Sequence, residues 1–374
     1  MSWLYRSLIR PALFEFDSER IHDFTLRALG WLGSHPGLLN VLSACSAPAL
    51  PIHLFGLHFP NPIGLAAGMD KRAVALPVWE RLGFGFTELG GVTWQAQPGN
   101  PPPRMFRIVD DTALINRMGF NNDGAEATAA RLAQWKESGL WPKHPVAINL
   151  GKSKITPLPE AAEEFARSFR VLKPFGDFFV VNVSSPNTPN LRALQDRSAL
   201  DEILAALQEA NQISSDGVGA ARPVLVKIAP DLSLAAIDDL LELIQQRRVA
   251  GIVATNTTVK RPIVTATSAA LLYGENGGLS GRPLRDLSTG VIRHISQQTN
   301  RMLPIIGVGG VFNAADAMAK ILAGASLVQI YTGLVYEGPG LAKSIVLGLQ
   351  QELARRGFSD IPSAIGAGVS HNSR

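Results

Sequence analysis

The chain has 374 residues, 46% of them hydrophobic and 18% charged, which is enough apolar side chain for a large core and argues against a disordered chain. Against 31 Asp and Glu stand 35 Lys and Arg, a formal charge of +4 with no basic run of the kind that nucleic acid calls for. The single cysteine, Cys45, excludes an intrachain disulfide and fits a reducing compartment, and the seven histidines are scattered without metal-ligand spacing.

Residues 1–40 differ from the rest. Trp3, Leu4, Tyr5, Leu8 and Ile9 precede Pro11 as in a short helix. A second helix is predicted from about Ser18 to Leu32, capped by Asp17 or Ser18. Ile21, Phe24, Thr25, Ala28, Leu29 and Leu32 form one stripe at helical spacing, with Leu26 and Trp31 off it, so the apolar surface is broad. Arg6, Arg10, Arg20 and Arg27 balance Glu15, Asp17, Glu19 and Asp23. No apolar run reaches the ~18–20 residues of a spanning helix, and the acidic residues and Pro11 interrupt a signal-peptide pattern. Two readings remain. The segment packs on the main domain, which the pattern alone favours, or it lies in a membrane interface.

Residues 41–60 read as a connector with a small hairpin, Ile52–Phe55 and Leu57–Phe59 around Gly56. From Asn61 an alternation begins. Short apolar strands are predicted at Ile63–Ala66, Phe86–Leu89, Val146–Leu150, Phe178–Val181, Val224–Ile228, Gly251–Ala254, Leu303–Ile306 and Leu327–Ile330. Helices are predicted between and after them at Ala73–Leu82, Ala125–Ser138, Ala161–Leu172, Ala199–Gln212, Leu234–Gln246, Leu284–Gln298, Ala314–Leu322 and Leu341–Arg355. About eight such units, ending in a helix, favour a (β/α)8 TIM barrel over residues 61–358 against a doubly wound open sheet. Two long excursions break the rhythm, at residues 95–120 and 257–282, and loops of that length are usually functional or disordered. The tail, residues 359–374, is expected to fray.

In such a barrel the carboxyl ends of the strands carry function. Those ends supply Ala66-Ala67-Gly68-Met69-Asp70-Lys71, Gly90-Gly91, Asn149, Asn182 with Ser185, Lys227, Thr255-Asn256-Thr257, Gly307–Gly310 and Tyr331-Thr332-Gly333. Each is weak alone, since Ser, Asn and Gly are ordinary turn residues. Lys227 is stronger, because a lysine inside the apolar run Val224–Ile228 is costly to bury without a partner. Glycines after the last two strands match the barrel phosphate site. Phosphate, carboxamides and lysines together suggest a phosphorylated planar cofactor above a small polar substrate, and flavin mononucleotide (FMN) suits this.

At these residues the chain resembles the membrane-associated, quinone-dependent class of the dihydroorotate dehydrogenase family. The resemblance rests on Gly64–Lys71, Pro103–Arg107, Asn116–Asn121, Asn182–Pro189, Thr255–Thr258, Gly277–Leu284 and Tyr331–Gly333, and covers essentially the whole chain. It implies oxidation of dihydroorotate to orotate in pyrimidine synthesis, with electrons passing through FMN to ubiquinone. It implies Ser185 as catalytic base, where the soluble class has cysteine. Lys71, Asn116, Arg117, Met118, Gly119, Phe120, Asn182, Asn187, Asn256 and Thr257 would bind substrate. Ala67, Gly68, Met69, Asp70, Lys71, Asn149, Asn182, Lys227, Thr255, Gly281, Gly310, Tyr331 and Thr332 would bind FMN. Residues 1–40 would become a helical pair on the cytoplasmic face of the cell membrane, a peripheral attachment guiding quinone past His22 and Arg107. One departure stands out: the family commonly has threonine where this chain has Gly91.

Overall fold

The computed structural model describes residues 2–188, 191–212, 220–263 and 271–369. A hairpin of β1 (Ile52–Leu54) and β2 (Leu57–Phe59) precedes the barrel. Its two central residues, Phe55 and Gly56, have φ of 58° and 75°, the left-handed pair that a tight two-residue turn needs. The hairpin plugs the amino end of the barrel. Phe59 is fully buried edge-on against Phe86, 5.5 Å between centroids, and Phe55 lies 5.8 Å from Phe178.

The barrel begins with β3 (Ile63–Leu65) and β4 (Phe86–Val92). The first excursion then contributes β5 (Met105–Ile108) and β6 (Ala113–Asn116). The barrel resumes with β7 (Val146–Leu150), β8 (Phe178–Asn182), β9 (Val224–Ile228) and β10 (Gly251–Ala254). The second excursion carries β11 (Gly278–Gly281), and β12 (Ile305–Val308) and β13 (Leu327–Ile330) complete the set. Eight strands close in the order β3-β4-β7-β8-β9-β10-β12-β13, with β13 parallel to β3 through Ile63 opposite Val328. The predicted TIM barrel is what the chain forms, and apolar side chains of its strands are buried because helices cover the outside.

Boundaries differ where local chemistry intervenes. β12 starts two residues later than the apolar run suggests, because Pro304 has no N–H for the ladder; its carbonyl accepts from Ile252 N at 3.0 Å instead. The helix expected at Ala73–Leu82 shrinks to Leu76–Arg81. Residues before it form a turn pinned by the Asp70 carboxylate, which accepts from Val74 N and Ala75 N at 2.9 Å and Trp79 Nε1 at 3.1 Å.

The two excursions, read from sequence as loops, build a second sheet in the order β11-β6-β5, all antiparallel. It stands over the carboxyl end of the barrel and ties the first excursion to the second.

The amino-terminal run is helical from Ser2 to Phe14 rather than ending before Pro11, with a π turn at Tyr5–Ile9. Proline is tolerated because it falls in the first turn of the Arg10–Phe14 segment. The next helix, Ser18–Gly33, is capped by Asp17, whose Oδ1 accepts from Glu19 N and Arg20 N. Its packed face coincides with the predicted stripe only in part: Ile21, Leu29 and Leu32 are partly buried. Leu26, Leu29, Gly30 and Gly33 meet the barrel, and a Cβ on Gly30 would lie 2.7 Å from Val74 O. Phe24, Thr25 and Ala28 face outward. Trp3, Leu4, Leu8, Ile9, Phe16, Phe24, Trp31, Leu38 and Val41 are all exposed, so this segment both packs on the barrel and presents an uncovered apolar surface. No helix among the described residues is long and apolar enough to cross a membrane.

The expected fraying of the tail does not begin at residue 359. The short helix Ile361–Ala364 has a capping box from Asp360, Ile361 and Ala364 are fully buried, and Arg301 Nη2 donates to Val369 O at 2.7 Å. Residues 370–374 lie outside the described residues.

Candidate active site

A cleft opens at the carboxyl end of the barrel, under the three-stranded sheet. Its floor is a polar network inside the apolar strands. Glu88 of β4 has no solvent exposure. Its carboxylate accepts from Asn149 Nδ2 at 2.6 Å and from Gln329 Nε2, and Lys227 Nζ stands 3.5 Å away. A carboxylate only accepts, so Asn149 must turn its amide nitrogen toward Glu88 and its oxygen away. That oxygen accepts from Asn182 Nδ2 at 2.9 Å, and Asn182 Oδ1 in turn accepts from Asn256 Nδ2 at 3.3 Å. One buried carboxylate therefore sets the direction of three successive carboxamides. It also commits the nitrogen of Gln329, whose oxygen, like the Thr255 hydroxyl, is buried with no hydrogen-bond partner among the described residues. Both residues line the cleft.

Ser185 is 7% exposed and lines the same cleft. Its Oγ accepts from Asn187 N at 3.2 Å, and Asn187 Nδ2 donates to Asn116 Oδ1 at 3.1 Å. Asn187 Oδ1 and the Thr188 hydroxyl are buried with no hydrogen-bond partner among the described residues. Lys71, Ala67, Gly68, Met118, Gly119, Phe120 and Thr257 complete the predicted set on the walls. Burial, and then the Arg104 guanidinium, pull the Lys71 ammonium down to about 8. At Gly91 a Cβ would come 2.6 Å from the Phe120 ring, so that ring takes the space a side chain would need.

At the far end lie Gly281, Gly310, Tyr331 and Thr332. Gly281 and Gly310 have φ of 96° and 70°, and a Cβ there would sit 2.4 Å from Thr112 O and 2.5 Å from Arg285 Cα. These turns admit only glycine. The helix Thr332–Glu337 starts beside them, with the Thr332 and Gly333 N–H groups ahead of its first internal hydrogen bond, Leu334 N to Tyr331 O at 3.0 Å.

Some predicted residues lie elsewhere. Met69 is packed in the core and the Asp70 carboxylate is spent on its turn, so neither lines the cleft. Asn149 stands one layer behind, acting through Asn182. Arg117 points outward, pairing with Glu275 at 2.7 Å and stacking 4.7 Å from the Phe106 ring, so it clamps the two excursions together. Arg107 donates to the carbonyls of Leu13 and Phe16 and lies 4.5 Å over the Phe14 ring. His22 faces a second cavity, between the Ser18–Gly33 helix and the barrel, which Lys71 and Arg104 also line. Burial and then Lys71 push its imidazole down to about 3, which keeps it neutral at physiological pH. Pro189, at the end of the serine motif, lies outside the described residues.

Sequence reading missed Glu88 and Gln329. Each interrupts an apolar strand with a polar residue, the same signal that singled out Lys227.

The family model for dihydroorotate dehydrogenase matches residues 49–353. The chain is 51% identical to a protein named dihydroorotate dehydrogenase (quinone) from Trichormus variabilis, over 97% of this chain and 98% of that one. Its identity to one of the same name from a Cyanothece species is 54%, over 95% and 97%. Among solved structures it is similar to the Eimeria tenella DHODH in complex with ferulenol, with a TM-score of 0.83 and 34% identity over 94% of this chain and 95% of that one.

Proposed function

Because the chain belongs to the dihydroorotate dehydrogenase family, it is an oxidoreductase that converts dihydroorotate to orotate in pyrimidine biosynthesis with a quinone as acceptor, and we propose that FMN is its flavin, Ser185 its base and residues 1–40 its attachment to a membrane.

One observation carries the cofactor assignment. Lys227, Gln329 and Thr255 all line the cleft, the Gln329 oxygen and the Thr255 hydroxyl with no hydrogen-bond partner among the described residues, and glycine-only turns lie at its far end. That is a cationic, hydrogen-bonding floor for a flat ring and a backbone cradle for a phosphate, so the residues fit FMN. Ala67, Gly68, Lys227, Thr255 and Gln329 would hold the ring, and Gly281, Gly310, Tyr331 and Thr332 the phosphate. Bound there, FMN supplies the hydride acceptor for dihydroorotate and the electron donor for quinone.

The chain's own residues do the rest. Asn116, Asn182, Asn187 and Asn256 orient the substrate ring through amides whose directions the surrounding hydrogen bonds already set. Lys71 answers the substrate carboxylate. Ser185 takes the ring proton as hydride leaves the neighbouring carbon. A serine must relay that proton onward, through water, Thr188 or another nearby hydroxyl, and the Thr188 hydroxyl is buried with no hydrogen-bond partner among the described residues.

The test is anaerobic. Dihydroorotate should bleach the flavin of the purified protein, and a ubiquinone analogue should restore its colour. A yellow protein that never bleaches overturns the substrate assignment, and a colourless one that takes up no FMN overturns the cofactor.

Lys71 makes the site sensitive to pH. Its charge is present below about 8 and lost above. Orotate affinity is therefore expected to weaken as pH rises through that value, and Lys71→Met should be weak and flat across the range. A wild-type affinity independent of pH between 7 and 9 would remove Lys71 from the carboxylate.

For the membrane, the support is the exposed apolar surface of the amino-terminal helices, with balanced charge. The lone cysteine is consistent with the cytoplasmic face. Wild-type protein is expected to float with zwitterionic vesicles. The combined change Trp3→Ser, Leu8→Ser, Phe24→Ser and Trp31→Ser should leave it in solution with normal flavin reduction. Undiminished flotation of that variant would refute this attachment.

A further inference from the structure

Arg192 has no part in the chemistry above, yet its guanidinium touches three strand-end loops. Nε donates to the Ser184 carbonyl at 3.2 Å, Nη2 donates to the Thr257 carbonyl at 3.3 Å, and Nη1 pairs with Asp231 Oδ2 at 3.1 Å. Asp231 is itself held, accepting the Thr258 hydroxyl and, at 3.1 Å, the Val259 N–H. The turn that presents Arg192, Leu191–Gln195, is seated by buried Leu191 and Leu194, and Gln195 Oε1 accepts from Ala229 N at 3.1 Å.

On the inner side the same loops meet again. Asn256 Nδ2 donates to the Ser184 hydroxyl at 3.0 Å, and that hydroxyl lies 3.2 Å from Asn182 Oδ1. Ser184 is therefore gripped twice, by its hydroxyl toward the cleft and by its carbonyl away from it. The next residue is Ser185. Asn256, likewise, precedes the carbonyl that Arg192 holds. A planar fork of three nitrogens reaches two carbonyls and a carboxylate that stand apart, which the single nitrogen of a lysine cannot span.

We propose that Arg192, held by Asp231, is a positioning residue for proton abstraction: it locks the Ser184–Ser185 segment and the Asn256–Thr257 segment against each other, so that the base keeps a fixed distance from the ring that Asn256 orients. This rests on Ser185 being the base. A misplacement of about 1 Å at a reacting pair costs about 10²-fold in rate, whereas a partly exposed ion pair adds little to stability. The effect is therefore expected in rate, not in folding.

The test compares Arg192→Ala, Arg192→Lys, Asp231→Asn, the double variant Arg192→Ala with Asp231→Asn, and Ser185→Ala, each as full-length, flavin-loaded protein. Stopped-flow reduction by dihydroorotate, orotate affinity from the flavin spectrum, reoxidation by a soluble quinone and melting temperature are read on the same samples. Arg192→Ala should slow reduction by ~10–100-fold, with a much smaller change in orotate affinity and with reoxidation and melting unchanged. Lysine should rescue little. The double variant should be no slower than Arg192→Ala, because the two residues act as one unit. Native reduction by Arg192→Ala beside slow reduction by Ser185→Ala overturns the proposal. Fast reduction by both overturns the base assignment beneath it. Equal losses in both half-reactions, with flavin lost or melting lowered, make the role a general structural one and also overturn it.

Discussion

Ser185→Ala is expected to keep its flavin and to slow flavin reduction by dihydroorotate about 10²–10⁴-fold, the usual contribution of a positioned base. Flavin content should not change, because the Ser185 hydroxyl takes no part in the Glu88 network and instead accepts from Asn187 N in its own loop. Reoxidation by quinone should also be normal, since no proton leaves the substrate in that half. Ser185→Cys keeps a base in place. A thiol ionises near 8.5, so its reduction rate should rise with pH across that range. Single-turnover absorbance separates these outcomes. Reduction within a few-fold of native in Ser185→Ala would take the base role from this residue, and a normal rate with reduced flavin content would place it in cofactor binding instead.

Glu88→Ala is expected to lower stability by roughly 3–5 kcal/mol, because it strands the Lys227 ammonium in the barrel interior. It also releases Asn149 and Gln329, so the amide directions that reach Asn182 and Asn256 are no longer imposed. Flavin should be lost on dilution as well. The pair can be separated from its cavity by the double variant Glu88→Leu with Lys227→Met, which removes both charges and fills the space. That variant should recover much of the stability but not flavin binding, since a buried ion pair is commonly replaceable by apolar side chains. Denaturant unfolding and flavin titration read the two effects. A Glu88→Ala protein as stable as wild type would show that the floor does not depend on this carboxylate.

In the amino-terminal segment, packing on the barrel does not use up the apolar surface. The barrel takes the face with Leu26, Leu29, Gly30 and Gly33, and Phe24 and Trp31 stay outside. Glycines give no apolar signal in a periodicity count, although they allow the closest helix approach, so the packed face was the harder one to find.

The sequence by itself determined the barrel, its closing order of short apolar strands, and most of the residues at their carboxyl ends. Those signals are local: a strand of four or five apolar residues, a glycine-rich end and a following helix can each be read within about thirty residues, the span of one βαβ unit. Only the tertiary structure decided which polar groups answer one another. Gln329 meets Glu88 across 241 positions, Arg117 meets Glu275 across 158, and the two excursions become one sheet because β6 finds β11 and not a sequence neighbour. A lysine in an apolar strand announces that a partner must exist, since a bare charge in the core is too costly to keep. Which carboxylate it is, and which amides that carboxylate then turns toward the cleft, follows only from closing the barrel, which brings Glu88 of its second strand, Lys227 of its fifth and Gln329 of its eighth together in the interior.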